Sequence, residues 1–539
     1  MTSMTRRRLI TGTVAAGGVA VGMGASGLGA LAIADPAEAG PTPPKAVTVG
    51  PDDPRYRHLV ARGMNGRFTG KPDNVHVVTT TEQVVDAVDE AVAAGKRISA
   101  RSGGHCFEDF VDSKDIEVII DLSTMTNVYF DPDMRAFAVE PGPTLAEVYR
   151  RLYLAWGVTI PAGSCLEVGA GGHILGGGYG SLSRKHGLVV DHLHAVEVVV
   201  VGEDGKAKAV VATRDTADPE HELWWAHTGG GGGNFGIVTR YWLRSPGAED
   251  DDPSTLLPKP PAELLTFAAS WSWSDLDKSS YLRLVRNHGD WHRDNSAADS
   301  RFTGLHSVLM LNEADVGTIL LAGSVHGDDN AEQLLEEYIG AVTEGVSARH
   351  DLISGRQPWL DATLASGLDE SSGTRAKVKA GYLREPFDDD QIELSYAALT
   401  EGQTSKDSAM SIWLVSYGGR TSDVEPDATA TAQRDSVLKA IYLAGWSSPE
   451  DDAANLKRLR GLYSEVYAAS GGVPAPDGNN DGCFINYADS DLADEKLNTS
   501  EVAWHTLYYK DNYERLQKVK SKWDPRDEFR HALGIRPAK

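Results

Sequence analysis

The sequence is poor in the features that would place it quickly. It has three cysteines in 539 residues, Cys106, Cys165 and Cys483. That is too few for a disulfide framework in an exported protein of this size, and an odd number leaves at least one thiol otherwise engaged. Outside the first ten residues there is no run of Lys or Arg, and the formal net charge is −25. A nucleic-acid partner, which needs a clustered basic surface, is thereby excluded. There is no internal repeat and no low-complexity tail. No cluster has metal-ligand spacing either, since His192 and His194 stand on a strand-like stretch without acidic or thiol company, so no metal is expected. Beyond the first forty residues no apolar run is long enough to span a bilayer.

What is present begins with the leader, "TRRRLITGTVAAGGVAVGMGASGLGALAIADPAEAG". Arg6, Arg7 and Arg8 followed by Leu9 and Ile10 resemble a twin-arginine signal, with small residues suited to cleavage near Ala34 or Ala39. Residues 1–39 are therefore expected to be removed, and the protein to be secreted already folded. The alternative, a single membrane anchor, is disfavoured because Gly and Ala make the stretch weakly hydrophobic, so no stable anchor is expected.

The remainder has a soluble, globular composition, 41% hydrophobic and 24% charged, with enough chain for more than one domain. From 45 to 246 short strands ("VHVVTT", "RISAR", "VEVIIDLS") mix with helices. Thr80 with Gln83, and Thr144 three residues before Glu147, mark helix starts. "AVEVVVV-GEDG-KAKAVVATR" reads as a hairpin turning at Asp204–Gly205. An acidic, Pro-rich linker, "GAEDDDPSTLLPKPP", leads into a second domain over 262–468, with strands such as "SVLMLN" and "AMSIWLVSYGG" among amphipathic helices. Residues 469–539 form a C-terminal stretch, helical up to Trp523.

Three glycine-rich turns carry the chemistry. In "ARSGGHCFEDF" a strand ends in Arg101, Ser102, Gly103 and Gly104, a turn whose N–H groups form a nest for phosphate oxygens, and His105 follows at once. In "GSCLEVGAGGHILGGGYG" eight of eighteen positions are glycine, with Cys165 at the front. A single-dinucleotide fingerprint is excluded there, because no clean βαβ unit surrounds it and no acidic residue sits at the expected place. The third turn, "WWAHTGGGGGNFGIVTRYW", runs five glycines into Asn234, Phe235 and Gly236 before a strand. Taken singly, each turn is also compatible with plain packing, Cys165 then being a small buried hydrophobe. Together, each abutting a strand, they point to one extended phosphate-bearing ligand such as an adenine dinucleotide.

With "INYADSDL" near the end, these motifs resemble, in order and spacing, the berberine-bridge-enzyme-like group of FAD-linked oxidases. The likeness is strongest to actinobacterial members that oxidise sugars of glycosylated natural products. It implies an α+β fold: a two-lobed, PCMH-type FAD-binding domain to which the C-terminal stretch returns, plus a substrate domain with an antiparallel sheet covered by helices. It implies FAD held by two covalent links, His105 to the 8α carbon and Cys165 to C6. The cofactor set then includes Gly169, Gly171, Gly172, His173, Gly176, Gly177, Gly178 and Gly180 of the second turn. Gly233, Asn234, Gly236 and Ile237 of the third turn join it, as do Tyr509 and Asn512. Tyr487 is the implied catalytic base and Tyr179 a hydrogen-bond partner of substrate or flavin. Tyr417 and Tyr382 are the candidates for a second tyrosine from the substrate domain. Tyr417 is favoured because its strand alternation sets it on one face with Trp413 and Val415. The implied reaction oxidises an alcohol or hemiacetal of a sugar or glycoside, with O2 as acceptor and H2O2 released. An oxidative cyclase or desaturase acting on an aglycone, and an inactive binding protein on the same fold, are the alternatives. Cys106 and Cys483 are expected to be buried thiols, a disulfide between them staying open.

Overall fold

Thr144 shows how locally the fold is written. Its hydroxyl accepts from the Glu147 N–H and the Glu147 carboxylate accepts from the Thr144 N–H, a complete capping box that opens the helix Leu145–Trp156. Gly157 ends the helix in the left-handed region, φ 69°. Thr80 caps the helix Thr81–Ala93 through Gln83 N–H, while the Gln83 side chain reaches back to Thr79 N–H instead. The buried stripe of that helix, Val84, Ala87, Val88, Ala91 and Val92, packs on the sheet beneath.

The computed structural model describes residues 45–327, 329–365 and 374–538. The expected leader therefore lies outside the described residues. Two sheets build the first lobe pair. One has four strands in the order Val47–Val49, Asn74–Val77, Val118–Asp121, Ile98–Arg101, the last three mutually parallel. The other has five antiparallel strands in the order Val128–Asp131, Ala136–Val139, Ile237–Leu243, Leu193–Val201, Ala207–Thr213. The hairpin between the last two turns through Gly205, φ 72°. A third sheet of seven antiparallel strands runs His350–Pro358, Glu263–Ser272, Thr318–His326, Leu305–Asn312, Ala409–Ser416, Leu438–Trp446, Arg375–Leu383. The helices Lys278–Asp294, Ala331–Thr343, Asp389–Thr400 and Asp452–Val466 cover it. The fold is thus the expected α+β assembly of an FAD-type lobe pair and a helix-covered antiparallel sheet.

The acidic stretch after Pro246 differs from a free linker in its second half. Leu256 and Leu257 are buried, and Pro258 O accepts from Thr159 N–H at 2.8 Å. Two adjacent leucines find a core to fill, and the linker is pinned there. The C-terminal stretch does return to the first lobes. The Lys520 ammonium, in the helix Tyr513–Trp523, donates to Asn234 O at 2.8 Å.

Candidate active site

Between the lobes and the seven-stranded sheet lies one long cavity of about 350 Å³. All three glycine-rich turns reach it, and backbone contact explains much of their composition. A Cβ on Gly169 would sit 2.3 Å from Gly103 N, and one on Gly103 2.4 Å from Gly169 N. The first two turns therefore touch through backbone, and only glycine lets them. Gly172 is different. A Cβ there would meet no atom within 4 Å, yet the residue lines the cavity. Its missing side chain is room left for a ligand, not for the protein.

On the cavity wall stand Arg101, Ser102, Gly103, Gly104 and His105 of the first turn. Cys165, Gly169, Gly171, Gly172, His173, Tyr179 and Gly180 of the second turn line it too. So do Gly233, Gly236 and Ile237 of the third, and Tyr487. The side chains of the first turn are already engaged: Arg101 pairs with Asp112 at 2.7 Å, and the Ser102 hydroxyl donates to Pro141 O at 2.6 Å. The turn offers its backbone. Among the described residues, Gly103 and Gly104 N–H have no acceptor, as a nest awaiting an anion requires. His173 accepts from Gly163 N–H at 3.1 Å, and burial, with Lys439 nearby, pushes its pKa down to about 4. It is a neutral structural imidazole on the wall.

Several expected residues stand behind the wall instead. Asn234 donates to the carbonyls of Gly230 and Gly231, Tyr509 donates to Gly230 O at 2.9 Å, and Asn512 donates to Pro426 O at 2.8 Å. These polar groups brace the glycine loop and the loop after Val424 rather than facing the cavity. Gly176, Gly177 and Gly178 also lie behind it. A Cβ on Gly176 would fall 2.0 Å from Asn486 Oδ1, so that glycine admits the neighbour of Tyr487. Tyr417 and Tyr382 are fully buried and off the wall. Trp413 and Val415 line the cavity, as the strand alternation requires. However, the strand ends at Ser416, the Tyr417 hydroxyl donates to Gln433 O at 2.9 Å, and its ring packs against Tyr179 with centroids 5.1 Å apart. Tyr382 packs edge-on behind Tyr417 at 5.0 Å.

Lys439 was not foreseen. It sits in the apolar strand Leu438–Trp446, opposite Val415, and is buried with its ammonium 3.6 Å from the Tyr179 ring centroid. The Tyr487 ring is 5.6 Å away and that of Phe484 4.8 Å. Burial holds its pKa well below the ordinary lysine value. Tyr179, whose hydroxyl donates to Ser416 O, is held above the ordinary phenol value, mainly by burial. A lysine run through with apolar neighbours, "LKAIYLAGW", was the signal available in the sequence.

A second unforeseen group fixes the loops. The Lys377 ammonium meets Glu108 at 2.5 Å and Asp489 at 2.7 Å, and Lys379 meets Asp491 at 3.1 Å, all buried. Glu108 follows His105 closely and Asp489 follows Tyr487, so one paired cluster holds both reactive loops against the sheet. Burial pushes the thiols of Cys106 and Cys483 up to about 12. No disulfide joins them. Among the described residues no group of three His, Cys, Asp or Glu side chains is arranged for a metal, and no helix is long and apolar enough to cross a membrane.

A cradle of glycine turns facing an antiparallel sheet across one cavity, with a histidine and a cysteine on its wall, is the build of a flavin-dependent oxidoreductase. Residues 72–210 match the FAD binding domain and residues 483–536 the berberine and berberine-like segment. The chain belongs to the berberine-bridge-enzyme-like family of FAD-linked oxidases. It is 51% identical over 545 residues to the aclacinomycin-N/aclacinomycin-A oxidase of Streptomyces galilaeus, covering 100% of this chain and 99% of that one. It is 33% identical over 533 residues to the hexose oxidase of Chondrus crispus, covering 90% and 93%. The crystal structure of a glycopeptide hexose oxidase complexed with teicoplanin matches with a TM-score of 0.88 at 51% identity, covering 92% of this chain and 100% of that one.

The residues present fit FAD: unpaired amides in the first turn, an open face at Gly172, and two side chains able to bond the ring system. The fit carries a prediction. G172A adds a methyl group that clashes with nothing in the protein, inside the helix Ala170–Leu175 where alanine is favoured over glycine, so the unfolding midpoint of flavin-free protein does not fall. Flavin content per chain, read from visible absorbance, falls sharply.

Proposed function

We propose that the protein oxidises an alcohol or hemiacetal carbon of a sugar, free or carried on a natural product, to the carbonyl or acid level. Dioxygen takes the electrons and leaves as H2O2. The observation that carries this reading is the single cavity on whose wall His105, Cys165, Tyr487 and Lys439 all stand. FAD supplies the hydride acceptor and the link to dioxygen. His105 and Cys165 are its two covalent anchors, through an imidazole nitrogen and a thiolate sulfur. Tyr487 takes the proton of the substrate hydroxyl, and the buried Lys439 amine, 5.6 Å from its ring, favours the phenolate whenever it holds a proton. Tyr179, its own proton directed at Ser416 O, shapes the other side of the cavity. Relatives named for aclacinomycin and hexose oxidation support the substrate class. Export as a folded, cofactor-loaded protein through the twin-arginine-type leader is part of the proposal, and a double tether suits a flavin that must not be lost outside the cell.

The test is intact mass and visible spectrum after acid denaturation, peptide mapping of the yellow fractions, and a peroxide-coupled screen of hexoses and glycosides. Flavin mass on the peptides holding His105 and Cys165, with peroxide from sugars, supports the proposal. Colourless protein with free flavin removes the tethers. Turnover only of an aglycone moves the assignment to an oxidative cyclase or desaturase.

A further inference from the structure

The sheet wall of the cavity carries a second polar side chain that neither the glycine turns nor the tyrosines account for. His306 lies in the strand Leu305–Asn312, where alternation sends His306 and Val308 to the cavity and Leu305, Ser307 and Leu309 to the core behind. Its Nδ1 is 3.0 Å from the Ser416 hydroxyl oxygen. That same oxygen accepts the Ser307 N–H at 3.1 Å. Among the described residues the Ser416 hydroxyl proton has one acceptor, His306 Nδ1, and Nε2 has no protein partner. A serine hydroxyl that must place its proton donates it to Nδ1, which leaves the ring proton on Nε2, at the cavity.

The charge state is fixed as well. Burial, with Lys439 and Arg184 nearby, pushes the His306 pKa down to about 3, so the imidazole is neutral at any working pH. The ring is held in place from the side: its centroid is 6.2 Å from that of Tyr179, whose hydroxyl donates to the carbonyl of the same Ser416. One residue at the end of a strand therefore orients two rings of the cavity, one through its carbonyl and one through its hydroxyl. The remaining sheet wall, Val308, Trp413, Val415 and Ile441, offers no polar donor except the Trp413 indole and the Lys439 ammonium.

We propose that His306 is a specificity-determining residue: an uncharged, tautomer-locked donor whose Nε2–H binds a hydroxyl oxygen of the substrate sugar other than the one oxidised. The assignment rests on the sugar-oxidase reading above. A buried donor built for an oxygen rejects an analogue that lacks it, because the donor is then left unpaired.

The test uses the flavin-loaded enzyme and its H306L and H306Q variants on a hexose that the wild type oxidises and on the monodeoxy analogues of that hexose. Glutamine places an N–H donor close to the Nε2 position and leucine places none. H306L is expected to lose roughly tenfold in kcat/KM on the parent hexose, mostly through KM, and H306Q to recover most of it. For one deoxy analogue the wild type shows the same loss and H306L adds nothing further, the non-additivity of two partners in one contact. An H306L within twofold of wild type on the hexose overturns the proposal, as does an equal loss across the whole deoxy series. Should H306L lack flavin absorbance, H306Q and H306N carry the comparison: activity kept by Gln and lost by Asn supports the Nε2 donor, and the reverse order overturns it. A wild type that oxidises no sugar defeats the parent reading, a result visible before any variant is made.

Discussion

Y487F is expected to keep its flavin and lose between about a hundredfold and ten-thousandfold in kcat, the usual range for a general base. The argument is one of position and competition. Three tyrosines line the cavity, Tyr179, Tyr241 and Tyr487, and the Tyr241 hydroxyl donates to Gly171 O at 3.0 Å. Tyr179 has spent its proton on Ser416 O and is buried against Tyr417, so its phenol is held in the protonated form. Tyr487 lies in the short loop Phe484–Ala488, its N–H on Phe484 O at 2.9 Å and its ring braced by Phe484 at 5.3 Å and Phe107 at 6.0 Å. Backbone and neighbouring rings thus hold it at the cavity edge, and the paired cluster of Lys377 and Asp489 keeps its loop against the sheet. Phenylalanine preserves that packing and removes only the hydroxyl. Stopped-flow reduction of the flavin by substrate measures the chemical step directly. A Y487F that reduces at the wild-type rate, or a Y179F more damaged than Y487F, gives the proton transfer to a different group.

How much of this was legible beforehand follows from how local each signal is. Thr144, Glu147 and Gly157 lie within one helix length of each other, and the sequence pattern alone identifies that helix. The glycine turns were legible as close approaches, because no other residue type tolerates such density. Which surface each glycine meets was not: Gly103 answers to Gly169, Gly176 to Asn486, and Gly172 to the cavity. The alternation of Ala409–Ser416 was equally readable, and it put Trp413 and Val415 on the correct face. Tyr417 follows that face but not its exposure, since Tyr179 arrives from the other lobe and lies against its ring. Asn234, Tyr509 and Asn512 stand off the cavity wall for a similar reason. Their partners are backbone carbonyls of loops remote in sequence, which no spacing rule reveals. Lys439 and His306 are the clearest cases of what tertiary structure adds. Each is a polar residue in an apolar strand, ordinary on the page, whose importance depends on the rings and hydroxyls that three other segments bring to it.

K439M is expected to make the protein more stable and much less active, and the opposite signs are what identify the role. Among the described residues Lys439 has no carboxylate partner and rings surround it, so holding a proton there costs the folded state, which is why its pKa lies well below the ordinary lysine value. Between that lowered value and the ordinary one, the unfolded chain holds a proton that the folded chain does not. Stability therefore rises with pH through this window, and the cost is fully present below it. Methionine has a similar length and no charge to desolvate, so the unfolding midpoint at pH 7 rises and its pH slope over the window flattens. Activity moves the other way. When protonated, the amine stands 5.6 Å from the Tyr487 ring centroid and favours the phenolate, whereas an unassisted tyrosine ionises near 10. Without Lys439 the rise of kcat/KM with pH shifts upward, and the rate at pH 7 falls. A stable K439M whose pH profile is unmoved would make the lysine a bystander. A shifted profile together with a raised midpoint means that the fold carries this buried amine at a cost because the proton transfer at Tyr487 needs it.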